Sequence, residues 1–313
     1  MTTALLSHAD CLDHEVPRDH PERPGRLRAV LHALEGRDLL REEAPLAIDA
    51  QLTCVHPQTY LYALTRAVPD HGLAPIDGDT WLSPGTMRAA RRAVGGAIRG
   101  VDMVMEGRAG NAFVATRPPG HHAERSTAMG FCYLGPVAAA AYHALDHHGL
   151  SRVAIVDFDV HHGNGTQDLV QDDPRIAFLS THQMPLFPGT GNPSDHGASG
   201  NVLNVALRAG DGSVAFRNAM ERQILPALDA FAPELVLVSA GFDAHRDDPL
   251  ANLELVEADF AWVTERICDL ADIHAQGRVV SCLEGGYSLR ALANSVAAHV
   301  DVLIERGGPR PDA

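Results

Sequence analysis

The segment Arg152 to Gln167, RVAIVDFDVHHGNGTQ, gathers Asp157, Asp159, His161, His162 and Asn164 into one polar run behind a short apolar one. Carboxylates and imidazoles in such company suit a divalent cation. Buried carboxylates without a partner cost several kcal/mol or take up protons. The competing reading, a solvated salt-bridged turn, lacks its cations, because no Lys or Arg follows Arg152 within the segment. If the chain stays extended past the apolar Val153 to Val156, alternation puts Asp157, Asp159 and His161 on one face. Phe158, Val160 and His162 then take the other. Residues of the same chemical kind recur elsewhere: adjacent His121 and His122 in RPPGHHA, Asp243 and His245 in GFDAH, Glu284 and Tyr287 in EGGY.

Each of these clusters follows an apolar run. Strands are expected at Ala4 to Leu6, Ala112 to Thr116, Val153 to Phe158, Ile176 to Ser180, Val202 to Leu207, Leu235 to Ala240 and Val279 to Leu283. Helical periodicity covers Pro24 to Leu34, Pro57 to Arg66, Pro84 to Glu106, Pro136 to His148, Val214 to Phe231, Leu255 to Ala275 and Leu289 to Glu305, several opening on a proline, which the first helical turn tolerates. Alternation of this kind predicts an α/β fold with a mostly parallel central sheet flanked by helices on both faces. Ligands of such sheets bind beyond the carboxyl ends of the strands, which is where the clusters fall.

Composition bounds the rest. The 313 residues contain no Pro/Ser-rich linker or charge block, so a single domain over residues 1–313 is expected. A net charge of −15 argues against direct binding to nucleic acid, which needs a basic surface. The five cysteines form no C-x-x-C pair and read as reduced thiols. Without a signal-like amino terminus or a long apolar stretch, a cytoplasmic protein with no membrane span is expected. His143, His147 and His148 share a predicted helix and read as residues without function.

The motifs PPGHHA, GFCYL, DFDVHHGNG, FPGTG, SAGFDAH and LEGGY, in this order, resemble those of the zinc-dependent histone deacetylase family, which includes acetylpolyamine amidohydrolases and bacterial deacetylase-like amidohydrolases. The resemblance runs from HPERPGRL, starting at His20, to Tyr287. It implies Zn2+ on Asp159, His161 and Asp243, a set that leaves a position open for water and substrate. Fe2+ or Co2+ would suit the same ligands. The resemblance further implies that His122 moves the proton of the attacking water, that His121, supported by Asp157, assists electrostatically, and that Tyr287 donates to the oxyanion. Asn164 would partner the second histidine, as in class II-like members. Gly130, Phe131 and Phe187 would line a narrow tunnel, with Leu250 and His20 at its substrate-facing end. A structural K+ is implied near Asp157, Asp159, His161, Ser180 and Thr181, and a second cation around Val170 to Ile176.

Other readings are narrower. A binuclear manganese ureohydrolase of the arginase kind would need more carboxylates than Asp159-Val160-His161-His162-Gly163 supplies, and Asp243 is followed by Ala244 and His245. A non-catalytic acyl-amine binding protein would not need the tandem histidines and Tyr287. Polyamine-specific relatives often carry an acid where this chain has Leu250, so N-acetyl-lysine in a protein or peptide is the expected substrate and a small acetylated amine the alternative. The sequence leaves the oligomeric state open.

Overall fold

Runs such as Val153–Val156 and Leu235–Val238 are apolar at every position, which suits strands covered on both faces. The computed structural model, which describes residues 2–307, places them in one sheet. The strands are β1 (Thr3–Ser7), β2 (Leu40–Glu43), β3 (Ala74–Pro75), β4 (Trp81–Leu82), β5 (Asn111–Val114), β6 (Val153–Asp157), β7 (Ile176–Gln183), β8 (Val202–Leu207), β9 (Leu235–Ala240) and β10 (Val279–Leu283). The helices are α1 (Pro24–Ala33), α2 (Asp49–Leu52), α3 (Gln58–Ala67), α4 (Thr86–Met105), α5 (Pro136–Asp146), α6 (Asn164–Val170), α7 (Ser213–Ala219), α8 (Leu225–Phe231), α9 (Glu257–His274) and α10 (Leu289–Arg306).

Eight strands pair in the order β2-β1-β5-β10-β9-β6-β7-β8, and every pairing is parallel. Alternate residues feed two cores. Val153 and Ile155 of β6 join the α3, α4 and α5 side, with Leu61, Val94 and Val137. Ala154 and Val156 join the α1, α9 and α10 side, with Leu27, Phe260 and Val296. The four strands whose ends carry the polar clusters, β5, β10, β9 and β6, are consecutive neighbours in the centre of the sheet.

Several boundaries differ from the sequence reading. β6 stops at Asp157 and a bend follows, so strict alternation does not extend to His161. β5 stops at Val114, before the expected Ala115 and Thr116, whereas β7 continues past Ser180 to Gln183. The helix expected over Val214 to Phe231 contains a π turn at Met220–Ile224 between α7 and α8. The unexpected β2, LREE, is an edge strand that is mostly exposed and so has no apolar period. Cys11, Cys54, Cys132 and Cys282 carry free thiols. Among the described residues, no helix is long and apolar enough to cross a membrane.

Candidate active site

The bend after β6 does what strand alternation was expected to do. Asp157 Oδ1 accepts from the Asp159 N–H at 3.1 Å, and Asp159 Oδ1 accepts from the His161 N–H at 2.9 Å. These turns bring His161 Nδ1 to 3.1 Å from Asp159 Oδ1 and 3.2 Å from Asp243 Oδ2, across from the end of β9. One ligand atom from each of Asp159, His161 and Asp243 lies within 4.8 Å of the others. Both carboxylates have no solvent exposure, and the buried Asp243 Oδ2 faces His161 Nδ1 at an angle too poor for a hydrogen bond. Despite burial, Asp159 and Asp243 push the His161 imidazole up to about 10. A pocket that demands positive charge, with a carboxylate oxygen in it that accepts no well-formed hydrogen bond, fits a divalent ion. The Gly285 N–H donates to Asp159 Oδ2 at 2.8 Å, and a Cβ at Gly285 would intrude on the Asp243 carboxylate, so only glycine fits there.

His121 and His122 stand beside the triad on the loop after β5. Glu284, at the end of β10, accepts from the N–H groups of Gly120 at 2.7 Å and His121 at 3.2 Å, which ties that loop to the sheet. The imidazole of His121 donates from Nδ1 to Asp157 Oδ2 at 3.1 Å. Burial disfavours its charge, but the Asp159 and Asp157 carboxylates raise it well above the ordinary histidine range. His122 is the opposite case. Burial first, then the charges of His121 and His161, hold it well below that range. Its Nδ1 lies 2.8 Å from Asn164 Oδ1, and the Asn164 amide donates to Glu124 Oε1 at 2.8 Å. The amide oxygen so oriented accepts a hydrogen bond from Nδ1–H and leaves Nε2 of His122 with its lone pair free. His162 and His245 turn away: one bonds Thr190 and Gln167, the other accepts from the Asp247 N–H.

Tyr287 is positioned by residues that sequence reasoning missed. The guanidinium of Arg26 lies 4.8 Å from the centre of its ring, and Arg26 Nε donates to the Gly286 carbonyl at 2.6 Å. Asp248 Oδ2 accepts the Tyr287 N–H at 2.7 Å. Burial, opposed by Arg26, holds the phenol proton on well above its usual pKa, so the hydroxyl remains a donor at neutral pH. Arg26 is itself held by Glu22 at 3.1 Å, and Glu22 receives a two-pronged ion pair from Arg117 at 2.9 and 2.7 Å. All three are buried. Their partners lie in distant segments, and the available signal was only the charge of HPERPGRL beside a motif that needs bracing.

This network yields a stability prediction. Glu22→Gln leaves two buried guanidinium groups short of an anion and should cost roughly 3–5 kcal/mol, the range for breaking a buried pair. The reading is a lower denaturant midpoint. Burial opposes the charge on Glu22, but Arg117 and Arg26 hold its carboxyl far below the usual range. Such a group stabilises fully above its unfolded pKa of ~4.3 and progressively less as pH falls toward its folded value. The gap between wild type and variant should therefore narrow below about pH 4.

One cavity of about 360 Å³ opens onto this chemistry. His122, His161 and Tyr287 line it together with Gly130, Phe131, Phe187, Leu250 and His20, so the residues expected to contact substrate are all brought to the same space. Phe131 stands edge-on to both Tyr287 and His20, at 5.8 and 4.7 Å between ring centres, and Phe187 stands edge-on to His122 at 5.1 Å. Gly130 has a φ of 56°, and a Cβ there would strike the His122 ring and Phe187. Ser180 is the register partner of Asp157 on β7, whereas alternation turns the Thr181 side chain to the other face of the sheet. The carbonyls of Val170, Asp173 and Ile176, around which a second cation was expected, converge on the Asn201 side-chain amide.

A parallel α/β sheet with a buried carboxylate-imidazole triad at its carboxyl edge, open to an apolar cavity, has the organisation of a metal-assisted hydrolase. The histone deacetylase domain matches residues 20–303, and the chain belongs to that family. The family makes it a hydrolase of amides with acetylated amines as substrates. The chain is 40% identical to histone deacetylase 14, chloroplastic, of Arabidopsis thaliana, over 96% of its own length and 76% of that protein's. It is 42% identical to the histone deacetylase-like amidohydrolase of Pseudomonas aeruginosa, over 86% and 72% respectively. The crystal structure of the HDA15 HD domain superimposes with a TM-score of 0.92 at 34% identity, covering 97% of this chain and 89% of the other.

Proposed function

We propose that this chain is a zinc-dependent deacetylase that removes acetyl groups from N-acetyl-lysine in proteins or peptides. The observation that carries the reading is one cavity lined by His161, His122 and Tyr287 together with the aromatic rings of Phe131 and Phe187. Asp159, His161 and Asp243 would hold the ion, which when bound supplies a Lewis acid for the acyl oxygen and makes water nucleophilic near neutral pH. His122 takes the water's proton at Nε2, its tautomer set by Asn164, and returns a proton to the departing amine. His121, paired with Asp157, keeps a positive charge beside the developing negative one. Tyr287 donates its hydroxyl to the oxyanion. The aromatic walls accept the aliphatic stem of lysine and exclude bulk water. The oxygens near Asp157 and Ser180 are offered to a monovalent cation as part of the same reading.

Leu250 at the cavity rim favours a peptide over a polyamine, because it offers no anion to a distal ammonium. A small acetylated polyamine is the second reading. Asp79 also lines the cavity, beside His20, whose Nε2 bonds its carbonyl at 2.8 Å, so an acid does stand near the rim. Acetate release from an acetyl-lysine peptide, free acetyl-lysine and acetylated putrescine and spermidine separates the two. The peptide should give the highest kcat/KM. A preference for the polyamines would keep the chemistry and overturn the substrate, and failure of every substrate with metal bound would overturn the function.

A further inference from the structure

The opposite edge of the sheet holds a second convergence of metal-binding side chains. Asp102 lies near the carboxyl end of α4, and His143, His147 and His148 lie at the carboxyl end of α5. These ends lead into the amino ends of β5 and β6, whereas the candidate active site lies at the carboxyl ends of those strands. His143 and His147 are four residues apart, which stacks them on one helix face, with ring centres 4.7 Å apart and nearly parallel. His148, just past the end of α5, brings its ring edge-on to both, at 5.3 and 4.9 Å. His143 Nε2 and His148 Nε2 reach the same oxygen, Asp102 Oδ1, at 2.7 and 2.8 Å.

We propose that Asp102, His143, His147 and His148 form a second metal site that binds zinc or a similar divalent transition ion and ties α4 to α5. One ligand atom from each of the four lies within 4.8 Å of all the others. Donors around a tetrahedral ion with ~2.0 Å bonds stand roughly 3.3 Å apart, so the side chains need only small adjustments to enclose one. Three imidazoles and a carboxylate select zinc, cobalt, nickel or copper over magnesium and calcium, which prefer all-oxygen sites. Four protein ligands fill a tetrahedron and leave no place for substrate, so the site is structural. On binding, the ion takes the place of the hydrogens that face Asp102; each ligating ring nitrogen must offer a lone pair, so a neutral imidazole carries its one hydrogen on the other ring nitrogen. Among the described residues, only this group and the Asp159 triad gather their ligand atoms so closely.

The test is metal stoichiometry on the untagged chain, freed of metal and then dialysed against Zn2+. Wild type should hold two equivalents, and His143→Gln/His147→Gln should hold one with its acetate release unchanged. Asp243→Asn should also hold one, so a failed active-site assignment and a failed second site give different patterns. Loaded with Co2+ instead, the Asp243→Asn chain should show the visible absorption of a tetrahedral ion, and the added histidine substitutions should abolish it. One equivalent in wild type that Asp243→Asn removes, or two in the His143→Gln/His147→Gln chain, would overturn the proposal.

Discussion

Asp243→Asn should leave a folded chain that releases acetate at least about a thousandfold more slowly, because a Lewis acid supplies several kcal/mol of transition-state stabilisation and each ~1.4 kcal/mol is a factor of ten. The substitution is nearly isosteric and retains Oδ1, which accepts the Val160 N–H at 2.9 Å, so the backbone of the bend keeps its anchor. What it removes is the charge of a carboxylate whose other oxygen is buried and faces His161 Nδ1 at 3.2 Å. Chelation should abolish the activity of wild type and added zinc should restore it, whereas added zinc should restore little in the variant. A variant with wild-type rates after chelation and exhaustive dialysis would remove the triad from the mechanism. A far-ultraviolet spectrum and melting curve like those of wild type exclude misfolding as the cause.

The second large effect is expected at Tyr287. Tyr287→Phe retains the ring, its edge contact with Phe131 and its position under Arg26, and deletes one hydroxyl. Loss of a single oxyanion donor costs ~10²–10³ in kcat. The loss should appear in kcat with little change in KM, because the hydroxyl acts on charge that develops only in the transition state. Thermal stability should stay close to wild type. Equal acetate release by variant and wild type would reduce Tyr287 to a packing residue.

The parts of this site legible in the sequence are those that announce themselves by chemical type within a few residues of a strand end. Asp159, His161, His121, His122, Asp243 and Tyr287 stand out by that rule along with His162 and His245, only the family resemblance separates the two groups, and the sheet sets their strands side by side. The geometry among them was less legible. Alternation holds only while the chain is extended, but the carboxylates of Asp157 and Asp159 accept from the N–H groups of Asp159 and His161 and bend it first. Such local bonding competes with strand pairing, and a periodicity count does not see it. Positioning residues were the least legible. Arg26 and Glu22 act on a tyrosine more than two hundred positions away in sequence, and Asp248 acts through a backbone N–H. Nothing local marks either role. β2 escaped for a different reason: LREE is an exposed edge, with no buried face to impose a pattern.

The position of β10 has a consequence for a shortened chain. It is the last strand in the chain, yet it lies between β5 and β9. Without it, β2, β1 and β5 would share no pairing with β9, β6, β7 and β8. His121 and His122 follow the first group of strands, and Asp159, His161 and Asp243 follow the second. In the finished sheet β10 is the strand that joins the two groups, and it brings Glu284 and Tyr287 with it. A chain cut before Val279 would lack the strand that holds the two groups in one sheet, and with it Glu284 and Tyr287.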